Sequence, residues 1–164
     1  MCSVGLAKVI DGRVVDTFSS LVRPPAPYDD FSPHNVKIHR IAAADVATAP
    51  TWDVVYGNVR QFAGTDPLVA HNADFDHKVL AKASAACGIS VPSSHWMCTL
   101  AAARATLTLE SYKLPAVSAA LGLPPHAHHD AAADAEQCAR LLVALYVSAG
   151  PDGRSMLRQH TRRR

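Results

Sequence analysis

The stretch PLVAHNADFDHKVLAKASAACG, residues 67–88, constrains the fold more than any other part of the chain. It begins as an apolar run typical of a buried strand and continues in a pattern typical of a helix. At the junction, four polar side chains fall within six positions, where a polar group is expected to be half buried: His71, Asn72, Asp74 and Asp76. Helix capping explains only part of this cluster. A single Asp or Asn before a helix is enough to accept hydrogen bonds from the first free backbone N–H groups of that helix. We assign that cap to Asp74, so the other polar residues need a different explanation.

The remaining segments predict an α/β domain around this junction. Residues 2–10 and the run RVVDTFSSLV predict two strands joined by an Asp-Gly pair, which is a strong hairpin signal. Later segments predict helices interleaved with two more strands, and the final helix begins near Asp130. No repeat or linker divides the 164 residues. We therefore predict one domain over residues 1–149, a mixed sheet flanked by helices, followed by a basic tail over residues 150–164.

Composition is typical of a globular protein of the cytoplasm. The chain is 49% hydrophobic with a formal net charge of +2, too small to indicate a polyanion partner. Five arginines fall in the last eleven residues, and such a run is more often solvated than bound to nucleic acid. There is no long apolar span and no leader pattern, so we expect no membrane association. Four scattered cysteines without a C-x-x-C pair favour reduced thiols and a cytoplasmic location: Cys2, Cys87, Cys98 and Cys138.

A second polar cluster opens the final helix. The segment HAHHDAAADAEQ, residues 126–137, contains three histidines and two aspartates. If His129 lies in the preceding loop and Asp134 one turn into the helix, both side chains can point at one spot. Asp130 suits an N-cap, which explains that residue but not Asp134. A zinc site is the alternative, although its spacing matches no common zinc pattern. Its ligands would be His126, His128, His129 and Cys138.

Four motifs in order together carry a resemblance to one family. They are HNADFD (71–76), CTLAAAR (98–104), SYKLPAVSAALG (111–122) and HDAAAD (129–134). Over residues 2–147 the chain closely resembles the DEDDh (DnaQ-like) 3′→5′ exonucleases, the family of the bacterial DNA polymerase III epsilon proofreading subunit. The resemblance implies a ribonuclease H-like fold and the removal of nucleotides from the 3′ ends of DNA or RNA.

The resemblance also implies a role for individual residues. Asp76 and Asp134 match the family's metal-binding carboxylates, in a site for two Mg²⁺ or Mn²⁺ ions, which prefer carboxylate oxygens. His129 matches the general base that takes a proton from the attacking water.

On the substrate side, the resemblance implies contacts with single-stranded 3′ ends, and a DNA polymerase is a candidate partner. His71 and Asn72 are expected to brace the strand end and the 3′ nucleotide, with Phe75 packing beside them. These three form the predicted substrate-binding group: His71, Asn72 and Phe75.

The chain departs from the family pattern at its beginning. The family name counts four carboxylates, and the first two form a D-x-E pair on a strand that precedes the segment matching CSVGLAKV. This chain begins at Met1, where that strand should already have ended, and neither Asp11 nor Asp16 is a convincing substitute. We expect a ribonuclease H-like fold without its first strand, impaired activity, and open strand edges that allow a dimer. An inactive module that binds nucleic-acid ends or a polymerase is the alternative function.

Overall fold

After an opening β-hairpin, single strands lie between helices or groups of helices along the chain. This order confirms the predicted α/β class. The computed structural model describes residues 1–91, 95–149 and 161–163. The strands in these ranges are β1 (Ser3–Ile10), β2 (Arg13–Leu21), β3 (Leu68–Ala70), β4 (His95–Cys98) and β5 (Thr161–Arg163). The helices there are α1 (Pro33–His39), α2 (Ala43–Val46), α3 (Trp52–Ala63), α4 (Ala73–Ala86), α5 (Thr99–Thr106), α6 (Leu114–Ala120) and α7 (Ala131–Ser148). None of these described helices combines the length and apolar character that a bilayer-spanning helix needs.

The hairpin has the turn that its sequence predicts. β1 and β2 pair antiparallel, and the chain reverses at Asp11 and Gly12. Both residues have positive φ angles, 50° and 74°. A two-residue turn that matches the twist of the flanking strands requires positive φ at both positions, which Asp-Gly tolerates well.

The strands of the described residues form two sheets rather than one continuous sheet. β1 pairs only with β2, whereas β3 pairs parallel with β4 and β5 pairs antiparallel with the other side of β4. Within the described residues, β1 and β3 therefore each have one edge without a strand partner. Free backbone N–H and C=O groups along such edges can accept a further strand.

Part of the predicted basic tail adds to the second sheet. Most of residues 150–164 lies outside the described residues, but the backbone of Thr161–Arg163 pairs with His95–Met97 of β4. This short segment is therefore a strand. The sequence of the tail gives little indication of this pairing, because the pairing depends on a partner strand more than 60 residues away.

Two hydrophobic clusters form the core. One lies between the hairpin, α3 and α4, and it includes Trp52, whose indole N–H donates a 2.8 Å hydrogen bond to Ser84 Oγ. The other lies between α5, α6 and α7 and includes the fully buried Val117, Leu141 and Leu145. The two clusters are linked by α7, which packs against β1, β2 and β3.

The start of α7 meets β1 backbone to backbone at Gly5. A Cβ atom at Gly5 would overlap the carbonyl group of Ala131 and lie 2.7 Å from Ala132 N. Asp130 caps the same helix end, since its side chain accepts a 2.9 Å hydrogen bond from Ala133 N–H, as the sequence predicts. Contact and cap together fix where the first turn of α7 lies relative to the hairpin.

The Gly5→Ala substitution should destabilise the fold. The added methyl group meets backbone atoms of α7, which cannot rotate aside as a side chain can, so we expect a loss of about 1–3 kcal/mol of unfolding free energy. Gly57→Ala is the matched control, because Gly57 lies in α3 and a Cβ atom added there would meet open space. That control should gain up to about 1 kcal/mol from helix propensity. Thermal melting of both variants measures the difference, and equal melting temperatures would contradict the close approach at Gly5.

Candidate active site

The turn between β3 and α4 brings the first polar cluster to the end of a strand. Asn72 has φ 80° and ψ 55°, a left-handed conformation that Asn adopts more readily than most residues. This turn lets α4 begin at Ala73, so the assignment of the helix cap to Asp74 is wrong. Asn72 holds the N-cap position, without a side-chain capping hydrogen bond, and Asp74 and Asp76 lie in the first turn. There the helix dipole favours both negative charges.

His71 ties the end of β3 to two later segments. Its Nε2 lies 2.8 Å from the carbonyl oxygen of Tyr112, and its Nδ1 lies 3.0 Å from Thr99 Oγ1. A carbonyl oxygen only accepts, so Nε2 carries a proton. Burial lowers the pKa of His71, which favours the neutral ring and lets Nδ1 accept from the Thr99 hydroxyl. The ring therefore braces the strand end, and its contact with a 3′ nucleotide stays a prediction.

Thr99 and Tyr112 are site residues that sequence patterns alone do not reveal. Their contacts with His71 span 28 and 41 residues of the chain. The available signal was their place in two of the family-like motifs, CTLAAAR and SYKLPAVSAALG. The structure explains why those motifs occur together with HNADFD, since one imidazole ring joins all three.

Asp76 is an accessible carboxylate in a poorly hydrated position. Its side chain reaches solvent, yet the protein around it displaces much of its hydration, and this burial raises its pKa to about 6. A backbone hydrogen bond at Asp76 opposes the shift only in part. A nearby cation would favour the ionised form, so this carboxylate is suited to bind one.

Asp134 gathers the polar groups of the loop before α7. Its Oδ1 lies 2.8 Å from His126 Nε2 and 3.0 Å from His128 Nδ1, and its Oδ2 accepts a 3.1 Å hydrogen bond from the backbone N–H of His129. Since an ionised carboxylate only accepts, both imidazoles donate at these nitrogens. Within the described residues, these two rings and this carboxylate form the group that could hold a metal ion.

His129 meets Asp134 through its backbone rather than through its ring. A left-handed φ of 68° turns its N–H toward the first turn of α7. The imidazole itself is exposed and stacks on His128, with ring centroids 3.9 Å apart. The sequence predicts that the side chains of His129 and Asp134 point at one spot, but in the structure the backbone N–H of His129 makes the contact with Asp134. The role of the His129 ring as a base stays a prediction.

Burial dominates the pKa of the Cys138 thiol. Cys138 is buried, which raises its pKa to about 12; a 3.7 Å contact with the Thr99 hydroxyl opposes this rise, and the charges of Asp76, Cys98 and Asp134 add to it. Both α4 and α7 contact β3, so Asp76 and Asp134 lie in the first turns of two helices that meet at one strand. The ligand set of the zinc alternative is not brought together, since the group of metal-ligating atoms in the described residues contains His126, His128 and Asp134 but neither His129 nor Cys138.

Phe75, which is predicted to pack beside His71 and Asn72, lies at the surface. Its side chain is 63% exposed on the first turn of α4, beside Asp76. A helix position that faces outward leaves no apolar surface for the ring to cover. An exposed ring can instead stack on a base. The substrate-binding roles of Phe75 and Asn72 stay predictions.

Comparison with known proteins identifies an exonuclease family. Residues 1–142 match the model of the RNase_T family, described as exonuclease. Exodeoxyribonuclease 10 of Escherichia coli strain K12 is 35% identical over 147 residues, covering 87% of this chain and 60% of that protein. A DNA polymerase III subunit epsilon-like protein of Rhodobacter capsulatus is 33% identical over 150 residues, covering 87% of this chain and 21% of that protein. The chain thus spans less than two thirds of the length of these curated relatives.

Solved structures confirm the predicted fold. Exonuclease X in complex with 5′-overhanging duplex DNA superposes with a TM-score of 0.76 at 31% identity, covering 96% of this chain and 89% of that one. The nuclease domain of 3′hExo, a DEDDh family member bound to rAMP, gives a TM-score of 0.72 at 20% identity, covering 84% and 74%. The second likeness is one of fold alone. The chain has the ribonuclease H-like fold of these nucleases.

The Asp76→Asn substitution should stabilise the metal-free chain, and more so at high pH. The folded pKa of about 6 lies above the value of the unfolded chain, so the folded state binds the proton more tightly. The free energy of unfolding therefore falls as pH rises between the two values, and the loss is complete above the folded pKa. Melting in chelator should show a larger advantage for Asp76→Asn at about pH 8 than at about pH 5. Asp29→Asn, in an exposed loop, is the control; an advantage equal at both pH values would contradict the raised pKa.

Proposed function

Because this chain belongs to the RNase_T exonuclease family, we propose that it is the nuclease module of a metal-dependent 3′→5′ exonuclease. The observation that carries the proposal is that Asp76 and Asp134, the carboxylates of two family-like motifs, lie in the first turns of two helices that both contact β3. They come from α4 and α7, which are far apart in sequence. DNA is the favoured substrate, since the similar E. coli protein is named an exodeoxyribonuclease and exonuclease X binds duplex DNA with an overhang.

The donor atoms of Asp76 and Asp134 fit Mg²⁺ or Mn²⁺. Hard divalent cations prefer carboxylate oxygens and water to sulfur, and these two side chains would hold the ions. When bound, a pair of such ions stabilises the charge that develops on a phosphodiester during hydrolysis. The raised pKa of Asp76 supports this assignment, because a carboxylate that is costly to ionise alone is stabilised by a nearby cation.

The remaining site residues are proposed to position the substrate and move a proton. His129 would accept a proton from the attacking water, as imidazoles exchange protons near neutral pH. Its exposed ring is held by stacking on His128. Phe75 and Asn72, both exposed at the start of α4, would contact the terminal nucleotide. His71 would act indirectly, by fixing the strand end from which these residues project.

A second candidate function is a module that binds nucleic-acid ends or a DNA polymerase without hydrolysis. The supporting observation is that the family-like motifs place two carboxylates in the described residues, whereas the family name counts four. The open edges of β1 and β3 also leave room for a strand from another segment or a second chain. The similar epsilon-like protein of R. capsulatus is named as a DNA polymerase III subunit, which makes a polymerase the favoured protein partner.

A strand that carries D-x-E, fused ahead of Met1, should strongly raise nuclease activity. Residues 1–164 alone should degrade a 3′-labelled single strand slowly in Mg²⁺ or Mn²⁺, because a two-metal site is worth several kcal/mol. The fusion should be faster by about a hundredfold or more. A matched fusion with N-x-Q at the same positions should restore strand pairing and melting temperature without restoring activity.

Each outcome of this comparison separates the two functions. Asp76→Ala or Asp134→Ala in the D-x-E fusion should abolish the activity, and circular dichroism should show that each variant remains folded. Equal rates for residues 1–164 and for the fusion would show that the added carboxylates are not needed. A well-folded D-x-E fusion that binds 3′ ends but never cleaves them would favour the non-catalytic module.

The His129→Ala substitution in the D-x-E fusion should lower turnover far more than binding. Loss of a general base costs on the order of 10²–10⁴-fold in rate. Single-turnover hydrolysis and binding of a 3′-labelled strand in Ca²⁺ measure the two effects separately. His34→Ala is the control, because His34 is exposed on α1. If His129→Ala and His34→Ala hydrolyse the strand equally fast, His129 is not the base.

A further inference from the structure

The loop before α7 and its first turn form a compact group of metal-ligating atoms, the His–Asp cluster: His126, His128 and Asp134. One ligand atom from each residue lies within 4.8 Å of the others. We propose that the His–Asp cluster binds one divalent transition-metal ion of the zinc class and thereby withdraws Asp134 from the Mg²⁺-dependent site. The withdrawal of Asp134 from the Mg²⁺-dependent site rests on the proposed nuclease function, whereas the binding of zinc by the His–Asp cluster does not.

The cluster needs little rearrangement to accept such an ion. Zinc binds imidazole nitrogen and carboxylate oxygen at about 2.0–2.2 Å in tetrahedral geometry, which separates neighbouring ligand atoms by about 3.3 Å. His126 Nε2 and His128 Nδ1 now lie 2.8 and 3.0 Å from Asp134 Oδ1. Binding would therefore lengthen these two distances by a few tenths of an ångström, and the two ring nitrogens, which lie within 4.8 Å of each other, would adjust toward about 3.3 Å. The ion would replace the two donated N–H groups, and each neutral ring would carry its proton on the other nitrogen.

The ligands are already held in place by their neighbours. The side chain of His126 is only 9% exposed, and its ring packs edge-on against His128 at a centroid distance of 5.5 Å. The second oxygen of Asp134 is occupied by the His129 N–H, which fixes the direction of the carboxylate. Outer partners of this kind raise metal affinity by orienting the ligands. The side chain of His128 is 39% exposed, which leaves a path from solvent to the cluster.

The donor set selects for zinc over magnesium. Two imidazole nitrogens and one carboxylate oxygen suit Zn²⁺, Co²⁺, Ni²⁺ and Cu²⁺, whereas Mg²⁺ prefers oxygen ligands and retains its water. Cys138 takes no part, because its buried sulfur is not among the grouped ligand atoms. A zinc-class ion would thus bind through atoms that Mg²⁺ uses poorly.

Asp134 links this cluster to the proposed nuclease site. An ion bound by His126 and His128 would coordinate Oδ1, the oxygen that now accepts from both rings. The same carboxylate is the proposed Mg²⁺ ligand on α7. Zinc and Mg²⁺ would therefore compete for Asp134, and zinc would inhibit hydrolysis.

Zinc binding can be measured without nucleic acid. Titration of ZnCl₂ into residues 1–164 in millimolar Mg²⁺ should give one bound ion per chain for wild type and for His34→Ala. His126→Ala and His128→Ala should weaken binding by about a hundredfold or more, beyond the loss typical of outer partners. His128→Ala keeps the test decisive if His126→Ala fails to fold, because His128 is exposed. Co²⁺ bound in place of zinc should show no thiolate charge-transfer band.

Three results would overturn the zinc site: affinity unchanged in both histidine variants, displacement of zinc by millimolar Mg²⁺, or a thiolate band with Co²⁺. In the D-x-E fusion, the ratio of hydrolysis rates with and without zinc should fall in wild type and in His34→Ala but stay near one in His128→Ala. Zinc that binds without lowering this ratio in wild type would overturn the competition for Asp134. Absence of hydrolysis in every variant would contradict the proposed function, while the titration still decides the zinc site.

Discussion

The backbone contact between Gly5 of β1 and the start of α7 is the constraint on which the rest of the structure depends. The described strands form two sheets, and α7 is the helix that packs against strands of both. Its position follows from the absence of a side chain at Gly5 and from the cap at Asp130. Asp134 lies one turn further along the same helix, so the direction of its carboxylate depends on how closely α7 approaches the hairpin.

A second constraint is the partial burial of polar groups where β3 ends. The neutral ring of His71 joins three motifs through one donated and one accepted hydrogen bond, which satisfies both of its nitrogens. Asp76 lies five residues later with a pKa raised by burial, and the protonated thiol of Cys138 lies within the electrostatic reach of Asp76 and Asp134. Burial thus favours the neutral forms of the His71 ring and the Cys138 thiol. The carboxylates of Asp76 and Asp134 are then the groups that a cation would stabilise.

The sequence predicts those features that short-range chemistry determines. The turn at Asp11 and Gly12 and the cap at Asp130 depend on neighbouring residues, and both occur as expected. The cap assigned to Asp74 is wrong, because a left-handed Asn72 starts α4 early, and the same turn leaves the Phe75 ring exposed.

Contacts between distant segments could not be derived from spacing. The pairing of β5 with β4 depends on groups far apart in the chain, as do the contacts of His71 with Thr99 and Tyr112. The division of the strands into two sheets has a consequence for motion. Helix α7 packs against strands of both sheets, and α4 contacts β3 and β4 while Ala83 of α4 belongs to the hydrophobic cluster of the hairpin. Amide hydrogens of the hairpin can then exchange with solvent through openings that leave the β3–β4 half closed. Cooperativity between the two halves is transmitted through α4 and α7, the helices that carry Asp76 and Asp134.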